Sequence, residues 1–322
     1  MVTGGRSENP AQPWLGAAGG GDVGAGLGGA GRVSGFSLEW LRLRAPFDRA
    51  ARDESLARRF AAALRRPTDR PVRLIDLGTG TGANARLLAP IIGGDQDWLL
   101  IDDDPALLGW CAAEQIAWAA REGYVAEKDG DAVVIRSPGG RWRFAARPAD
   151  LTGGLAQALA EPYDGLTMAA FADLVSAGWI DGLAILLERR RVPLLSPLVV
   201  DGRRQWHPPA EHDALVRDTF AAHQRRNKGF GPALGPAAPV YLGARLAAAG
   251  YAVATANSDW RVGPDHRRML AAVIDAEVIA AAEARPDLAP VIAAWSAQRQ
   301  AELAAGVLSL MVGHRDLLAV GR

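Results

Sequence analysis

The sequence predicts a doubly wound, mainly parallel α/β sheet, and three observations carry that prediction. Residues 72–83 read V-R-L-I-D-L-G-T-G-T-G-A, an aliphatic strand running into glycines at alternate positions and then into a helical pattern. Further aliphatic runs at 98–101, 164–169, 192–200, 251–256 and 317–320 are separated by stretches with helical spacing, and such alternation implies parallel strands covered on both faces. The 322 residues carry 49% hydrophobic and 22% charged side chains, enough to bury a large core.

In chain order, residues 1–35 hold twelve glycines and no apolar periodicity, so a disordered leader is expected there. It lacks the basic start and apolar run of a signal peptide, and no stretch approaches about 18 continuous apolar residues, so a cytoplasmic protein without a membrane span is expected. Leu38, Trp40, Leu41, Leu43, Phe47, Leu56, Phe60 and Leu64 give residues 36–70 a helical spacing, a cap preceding the first strand. After the glycine stretch, the second strand ends at Asp102-Asp103-Asp104-Pro105, with Asp104 placed to cap a helix and Pro105 at its first position. Residues 132–135 and 142–146 flank Ser-Pro-Gly-Gly as a hairpin, and Asp150 precedes a short helix. Strands at 164–169 and 192–200 alternate with helices at 173–188 and 210–223. A glycine-rich basic loop spans 225–235, and alanine-rich helices at 265–284 and 289–305 form an insertion before a final strand at 317–320.

Composition excludes several classes. Zero net charge and a pI near 7 argue against nucleic acid as the main partner. The single cysteine, Cys111, rules out an internal disulfide and a cysteine-based zinc cluster, and five scattered histidines give no metal-ligand spacing, so no metal is expected.

The glycine stretch has the chemistry of a nucleotide-type loop, because a chain leaving a buried strand must turn tightly and bring its backbone close to a ligand. Gly78, Gly80 and Ala83 satisfy the permissive dinucleotide pattern, and Asp102 follows Gly82 by twenty residues (102 − 82), where an acid can hold a ribose. On this evidence NAD and other adenosine ligands both remain open. Residues 74–82, L-I-D-L-G-T-G-T-G, closely resemble the first motif of the class I S-adenosylmethionine-dependent methyltransferases. Ile101-Asp102-Asp103-Asp104-Pro105 resembles their second motif, Ala149-Asp150-Leu151 the adenine-contacting turn, and residues 164–169 the fourth strand. The resemblance covers roughly residues 72–200 and implies a seven-stranded Rossmann-like sheet in a single domain, 36–322, with an acceptor-side insertion at 201–240. It implies S-adenosylmethionine as cofactor, held by Asp76, Gly78, Thr79, Gly80, Gly82, Asp102, Asp103, Asp150, Leu151 and Thr167. Asp76 would attract the ammonium, Asp102 would accept from both ribose hydroxyls, and Asp150 would accept from the adenine amine.

Methyl transfer demands positioning and water exclusion, plus a base if the acceptor must lose a proton. Asp173, His207 and His223 are the candidate bases; Asp173 and Ser176 also suit a helix start, and Trp206-His207-Pro208-Pro209 also suits a turn. In the basic loop, Arg225, Arg226, Lys228 and Phe230 are candidate acceptor contacts, suited to a small molecule bearing carboxylate or phosphate. The competing readings are an aminopropyl-type transferase, a non-catalytic binder of the same ligand, and an NAD-dependent oxidoreductase. The last lacks an evident Tyr-x-x-x-Lys pair.

Overall fold

The computed structural model describes residues 36–321. The glycine-rich leader expected at 1–35 lies outside the described residues. The chain opens with α1 (Leu38–Ala51) and α2 (Glu54–Ala63), capped by the side chains of Ser37 and Asp53. Then follow β1 (Val72–Leu77), α3 (Ala83–Ile92), β2 (Gln96–Asp102), α4 (Pro105–Glu122), β3 (Val125–Asp129), β4 (Ala132–Ser137) and β5 (Gly140–Pro148). The middle of the chain gives α5 (Leu155–Ala158), β6 (Gly165–Thr167), α6 (Ala177–Arg190), β7 (Leu194–His207), α7 (Asp213–Gln224) and α8 (Ala238–Ala248). The remainder is β8 (Tyr251–Asn257), β9 (Trp260–Val262), α9 (Arg267–Ala284), α10 (Ala289–Ala304) and β10 (Ser309–Gly321).

Among the described residues all ten strands join one sheet in the order β3-β4-β5-β2-β1-β6-β7-β10-β8, with β9 paired to β10. This corrects the seven-stranded, mainly parallel expectation. Pairs β1–β2, β1–β6, β2–β5 and β6–β7 are parallel, whereas β3, β4, β9 and β10 pair antiparallel, so the sheet is mixed. The physical source is twofold. A hairpin extends one edge, its outermost strand an exposed Val-Ala-Glu-Lys-Asp stretch without apolar alternation. At the other end β10 runs thirteen residues, far beyond the predicted 317–320, because it zips onto a fourteen-residue β7 as well as β8 and β9.

Alternation along the central strands splits the core between two faces. Leu74, Trp98 and Leu100 face Phe60, Leu88 and Trp118 of α2, α3 and α4. Ile75, Leu77, Ile101 and Leu166 face Ile180, Leu183 and Leu242 of α6 and α8. A third cluster joins Phe47 of α1 to Trp206, Trp260, Leu270 and Trp295 beneath α9 and α10. Strand order turns around β1, with β2 on one side and β6 on the other. In an open α/β sheet, ligands bind outside the carboxyl ends of the strands at such a switch point.

Candidate functional site

The carboxyl end of β1 delivers Asp76, whose register partners are Leu100 on β2 and Thr167 on β6. Its carboxylate is wholly buried and accepts three short hydrogen bonds: from Thr79 Oγ1, Asn84 Nδ2 and Thr167 Oγ1, each 2.6 Å. Burial pushes its proton affinity above the usual carboxylate range, against the pull of those donors. Asp76 thereby fixes the glycine turn from beneath, and Thr79 and Thr167 act as its positioning partners. Behind it the half-buried Arg52, missed from the sequence, donates to Asn84 Oδ1 at 2.5 Å.

The turn itself carries Gly78, Gly80 and Gly82 with φ of 61°, 56° and 78°, left-handed values that side chains rarely adopt. Gly82 N–H closes it onto the Thr79 carbonyl at 2.9 Å, and Thr79 N–H ties it to the Ile101 carbonyl of β2 at 3.1 Å. A Cβ on Gly78 would overlap the Phe171 ring, and one on Gly80 would press within 3.2 Å of Leu41 on α1.

Asp102, 4% exposed at the end of β2, accepts from Gly80 N–H at 2.7 Å through Oδ2 and from Asp104 N–H at 3.0 Å through Oδ1. Each oxygen keeps a second lone-pair direction, which is what a pair of vicinal ribose hydroxyls requires. Burial, reinforced by the half-buried Asp103 beside it, pushes Asp102 up to about 7. Cys111 of α4 lies below, its thiol 3.4 Å from the Gly80 carbonyl and pushed up to about 12 by burial.

Asp150 follows β5 and is exposed; its Oδ1 closes a turn onto Thr152 N–H and Oγ1 at 2.7 and 2.5 Å, bonds that hold its carboxyl below the usual range. The Leu151 carbonyl accepts from Trp179 Nε1 at 2.7 Å, pinning this turn to α6. The helix expected after Asp150 shrinks to the single turn α5.

On the other side of the loop, Ser176 caps α6 while Asp173 sits in a short 3-10 turn, Ala172–Leu174, two residues past Phe171. Asp173 is 6% exposed and its Oδ1 has no hydrogen-bond partner. Burial raises its proton affinity, opposed first by Lys228, then by a backbone hydrogen bond of its own residue and last by Arg44 of α1. Lys228 is brought there by a loop braced on Asn227, whose Oδ1 accepts from Gly229 and Gly231 N–H at 2.8 and 2.9 Å. Burial lowers the proton affinity of Lys228, with Asp173 opposing. Phe230 from the same loop packs edge-on against Phe171 and Trp179, with centroids 5.6 and 6.0 Å away.

The remaining predicted site residues lie on β7, on α7 and in the loop after it. His207 is exposed at the far end of the extended β7, paired with Ser309 of β10. His223 is buried between α7 and α9 with Nε2 3.1 Å from Glu283; burial and then Arg226 lower its proton affinity. Arg226 is drawn to the same Glu283, through its carboxylate at 3.3 Å and its carbonyl at 3.0 Å. Arg225 is exposed and lies along Gly235. Helix α9 thus supplies the acid that engages Arg226, while Lys228 is the basic residue of the loop whose charge opposes the burial of Asp173. Phe171, Leu41, Arg44 and Arg52 were missed because they reach the loop through contacts distant in sequence. Among the described residues no group of side chains is arranged to hold a metal ion, and no helix is long and apolar enough to cross a membrane.

A strand order that turns at β1, a left-handed glycine turn and an acid at the end of the neighbouring strand decide the architecture. The fold is Rossmann-like. No protein-family model matches the chain, and no curated protein matches it. Among solved structures it is similar to a SAM-dependent methyltransferase from Thiobacillus denitrificans in complex with S-adenosyl-L-homocysteine, at 15% identity and a TM-score of 0.40, covering 89% of this chain and 99% of that one. A SAM-dependent methyltransferase from Geobacter sulfurreducens, also in complex with S-adenosyl-L-homocysteine, gives 17% identity, a TM-score of 0.37 and coverages of 87% and 98%. The cyclopropane synthase MmaA2 from Mycobacterium tuberculosis gives 13%, 0.40, and 83% of each chain. Similarity that low assigns no activity to this chain, whose own residues carry the reading that follows.

Proposed function

We propose that this chain is an S-adenosylmethionine-dependent methyltransferase acting on a small-molecule acceptor. The observation that supports it most is the pairing of Asp102 with the Gly80 amide: it joins a left-handed glycine turn to a two-oxygen ribose acceptor across the β1–β2 crevice. Asp102 would accept from the ribose hydroxyls, the backbone around Gly78 and Gly80 would line the methionine part, and the turn at Asp150 and Leu151 would meet the adenine. Asp76, Thr79 and Thr167 would hold the loop rigid; rigidity matters because displacement needs in-line alignment of the reacting atoms. Gly82 would start α3, and Asp103 would raise the proton affinity of Asp102. The donor, when bound, supplies a methyl group on a sulfonium, already a good leaving group. The protein's share is orientation, exclusion of water by α1 and the 225–232 loop, and removal of a proton. A cytoplasmic location and independence of nucleic acid belong to the same reading, supported by the zero net charge.

Titration calorimetry with S-adenosylmethionine, S-adenosylhomocysteine and NAD tests it. Binding of both sulfur ligands is expected, and Asp102→Ala should weaken both by at least about tenfold, the loss of a charge-assisted pair. Tight NAD binding with no response to the sulfur ligands would overturn the proposal in favour of a dehydrogenase.

A further inference from the structure

Phe230 is the only buried residue from Arg225 to Pro232, in a loop whose other side chains are exposed or half-buried. Gly229 and Gly231 stand on either side of it with φ of 101° and 84°, left-handed values that let the chain reverse around a single inward ring. The rest of the tip is braced on itself: Asn227 Oδ1 accepts from the Gly229 and Gly231 amides, and the Ala233 amide donates to the Arg225 carbonyl at 3.2 Å. Phe230 is therefore the tip's apolar anchor. Its seat has two walls, Phe171 and Trp179, with centroids 5.6 and 6.0 Å from its own and 5.4 Å from each other, every pair set edge-on. Each wall touches a different half of the crevice. A Cβ on Gly78 would lie 2.3 Å from Phe171 Cδ2, so that ring rests on the glycine turn, while Trp179 Nε1 donates to the Leu151 carbonyl at 2.7 Å in the turn after β5. Burial alone would account for an apolar ring here; it would not require that both of its neighbours be the residues that hold the two ends of the crevice.

Resting on the methyltransferase reading above, we infer that Phe230 is a positioning residue that couples donor binding to the order of the 225–235 loop, so that the acceptor side of the site is assembled on a donor-loaded protein. A donor lying along Gly78 and the Asp150–Leu151 turn stiffens both, and with them the two rings that wall the seat. Docking Phe230 against walls already fixed loses less conformational entropy than docking it against moving ones. Linkage makes the effect reciprocal: a seated Phe230 steadies the glycine turn for the donor. No direct contact between donor and loop is needed, and Gly229 and Gly231 supply the backbone freedom for the ring to leave its seat. The consequence for the chemistry is timing. The loop that helps exclude water closes most firmly when the methyl donor is in place.

The test uses the full chain with S-adenosylhomocysteine as the probe. Hydrogen–deuterium exchange of the peptide spanning residues 225–235, which contains the Leu234 amide bonded to the Val175 carbonyl at 2.9 Å, is followed with and without saturating ligand, and affinity is read by calorimetry. In the parent, the ligand should slow exchange of this peptide by at least about fivefold, the lower end of ordinary coupling between sites. In Phe230→Ala the ligand-induced slowing should vanish and affinity should fall by at least the same factor. Phe230→Leu, which keeps the seat filled, should retain the slowing and bind more tightly than the alanine variant. Loop exchange that the ligand leaves unchanged in the parent, or an alanine variant that binds as tightly as the parent, overturns the coupling and leaves the methyltransferase reading standing. An alanine variant whose ligand-induced slowing equals the parent's overturns it too and assigns Phe230 to the core alone. Absence of S-adenosylhomocysteine binding by the parent overturns the reading on which the inference rests.

Discussion

Phe171 occupies the space that a Cβ on Gly78 would fill, so the residue that opens the glycine turn and the aromatic after β6 are shaped to each other across ninety-three residues (171 − 78). Substituting Gly78→Ala would impose a left-handed alanine, costing about 1–2 kcal/mol, and would also push Phe171 into Phe230 and Trp179. The expected outcome is a loss of S-adenosylhomocysteine affinity of at least about tenfold, since about 1.4 kcal/mol corresponds to that factor. Calorimetry on a variant confirmed as folded by circular dichroism checks it; unchanged affinity would mean that the loop's backbone does not approach the ligand.

Asp102 gives the site a pH dependence whose sign can be worked out. Its folded value, pushed up to about 7, lies above the ordinary carboxylate value, so the native state holds a proton that the unfolded chain has already released. That contribution to stability is fully present below about pH 4 and is lost as pH rises through about 7. Chemical denaturation should show the parent losing stability relative to Asp102→Asn between about pH 5 and about pH 8. Ligand affinity should run the opposite way, because the ribose hydroxyls donate to the ionised carboxylate: binding strengthens through the same window in the parent and stays flat in Asp102→Asn. A flat parent profile in both measurements would contradict the raised value.

How much of this was legible in the chain depends on how local the cause was. The turn at Gly78, Gly80 and Gly82 could be read because left-handed backbone needs glycine wherever the turn is placed, and Asp102 could be read because a strand–helix–strand unit fixes its spacing. Phe171, Leu41, Arg44 and Arg52 could not, since each reaches the site only through tertiary packing. The long β10 was hidden for a different reason: His314-Arg315-Asp316 interrupts the apolar run, and these residues belong to the strand through specific partners. Asp316 accepts from Asp53 N–H at 2.9 Å and Leu198 N–H at 2.8 Å, tying the cap of α2 to β7. His314, pushed down to about 3 chiefly by burial, packs on Trp260. The arginines of the 225–235 loop read as a basic patch, and only the partner on α9 reveals that Arg226 is already engaged.

His207 and Arg226 make a clean control. His207 is exposed at the far end of β7, and Arg226 is held by Glu283. His207→Ala and Arg226→Ala should each leave donor binding and methyl-transfer rate within about threefold of the parent, as expected for surface changes worth about 0.5 kcal/mol or less. Steady-state assay of methyl transfer decides the point: a large loss of turnover with His207→Ala would place it at the site as a base.

Asp76 and Thr167 link β1 to β6 beneath the loop, and the strength of that link can be measured apart from any ligand. Thr167 Oγ1 donates to Asp76 Oδ1 at 2.6 Å and also lies 3.3 Å from the Ile75 carbonyl, with both side chains wholly buried. Thr167→Val keeps the volume but removes the donor, at a cost of about 1.5–3 kcal/mol for a hydrogen bond to a charged acceptor. Asp76→Asn costs a similar amount or more, because an amide has one acceptor oxygen where Thr79, Asn84 and Thr167 need two. If the three donors act through Asp76 as one network, the double variant should be less destabilised than the sum of the singles, by about 1 kcal/mol. Urea unfolding of the four proteins closes the cycle; strict additivity would mean that Thr167 supports β6 independently and that the loop is not braced through Asp76.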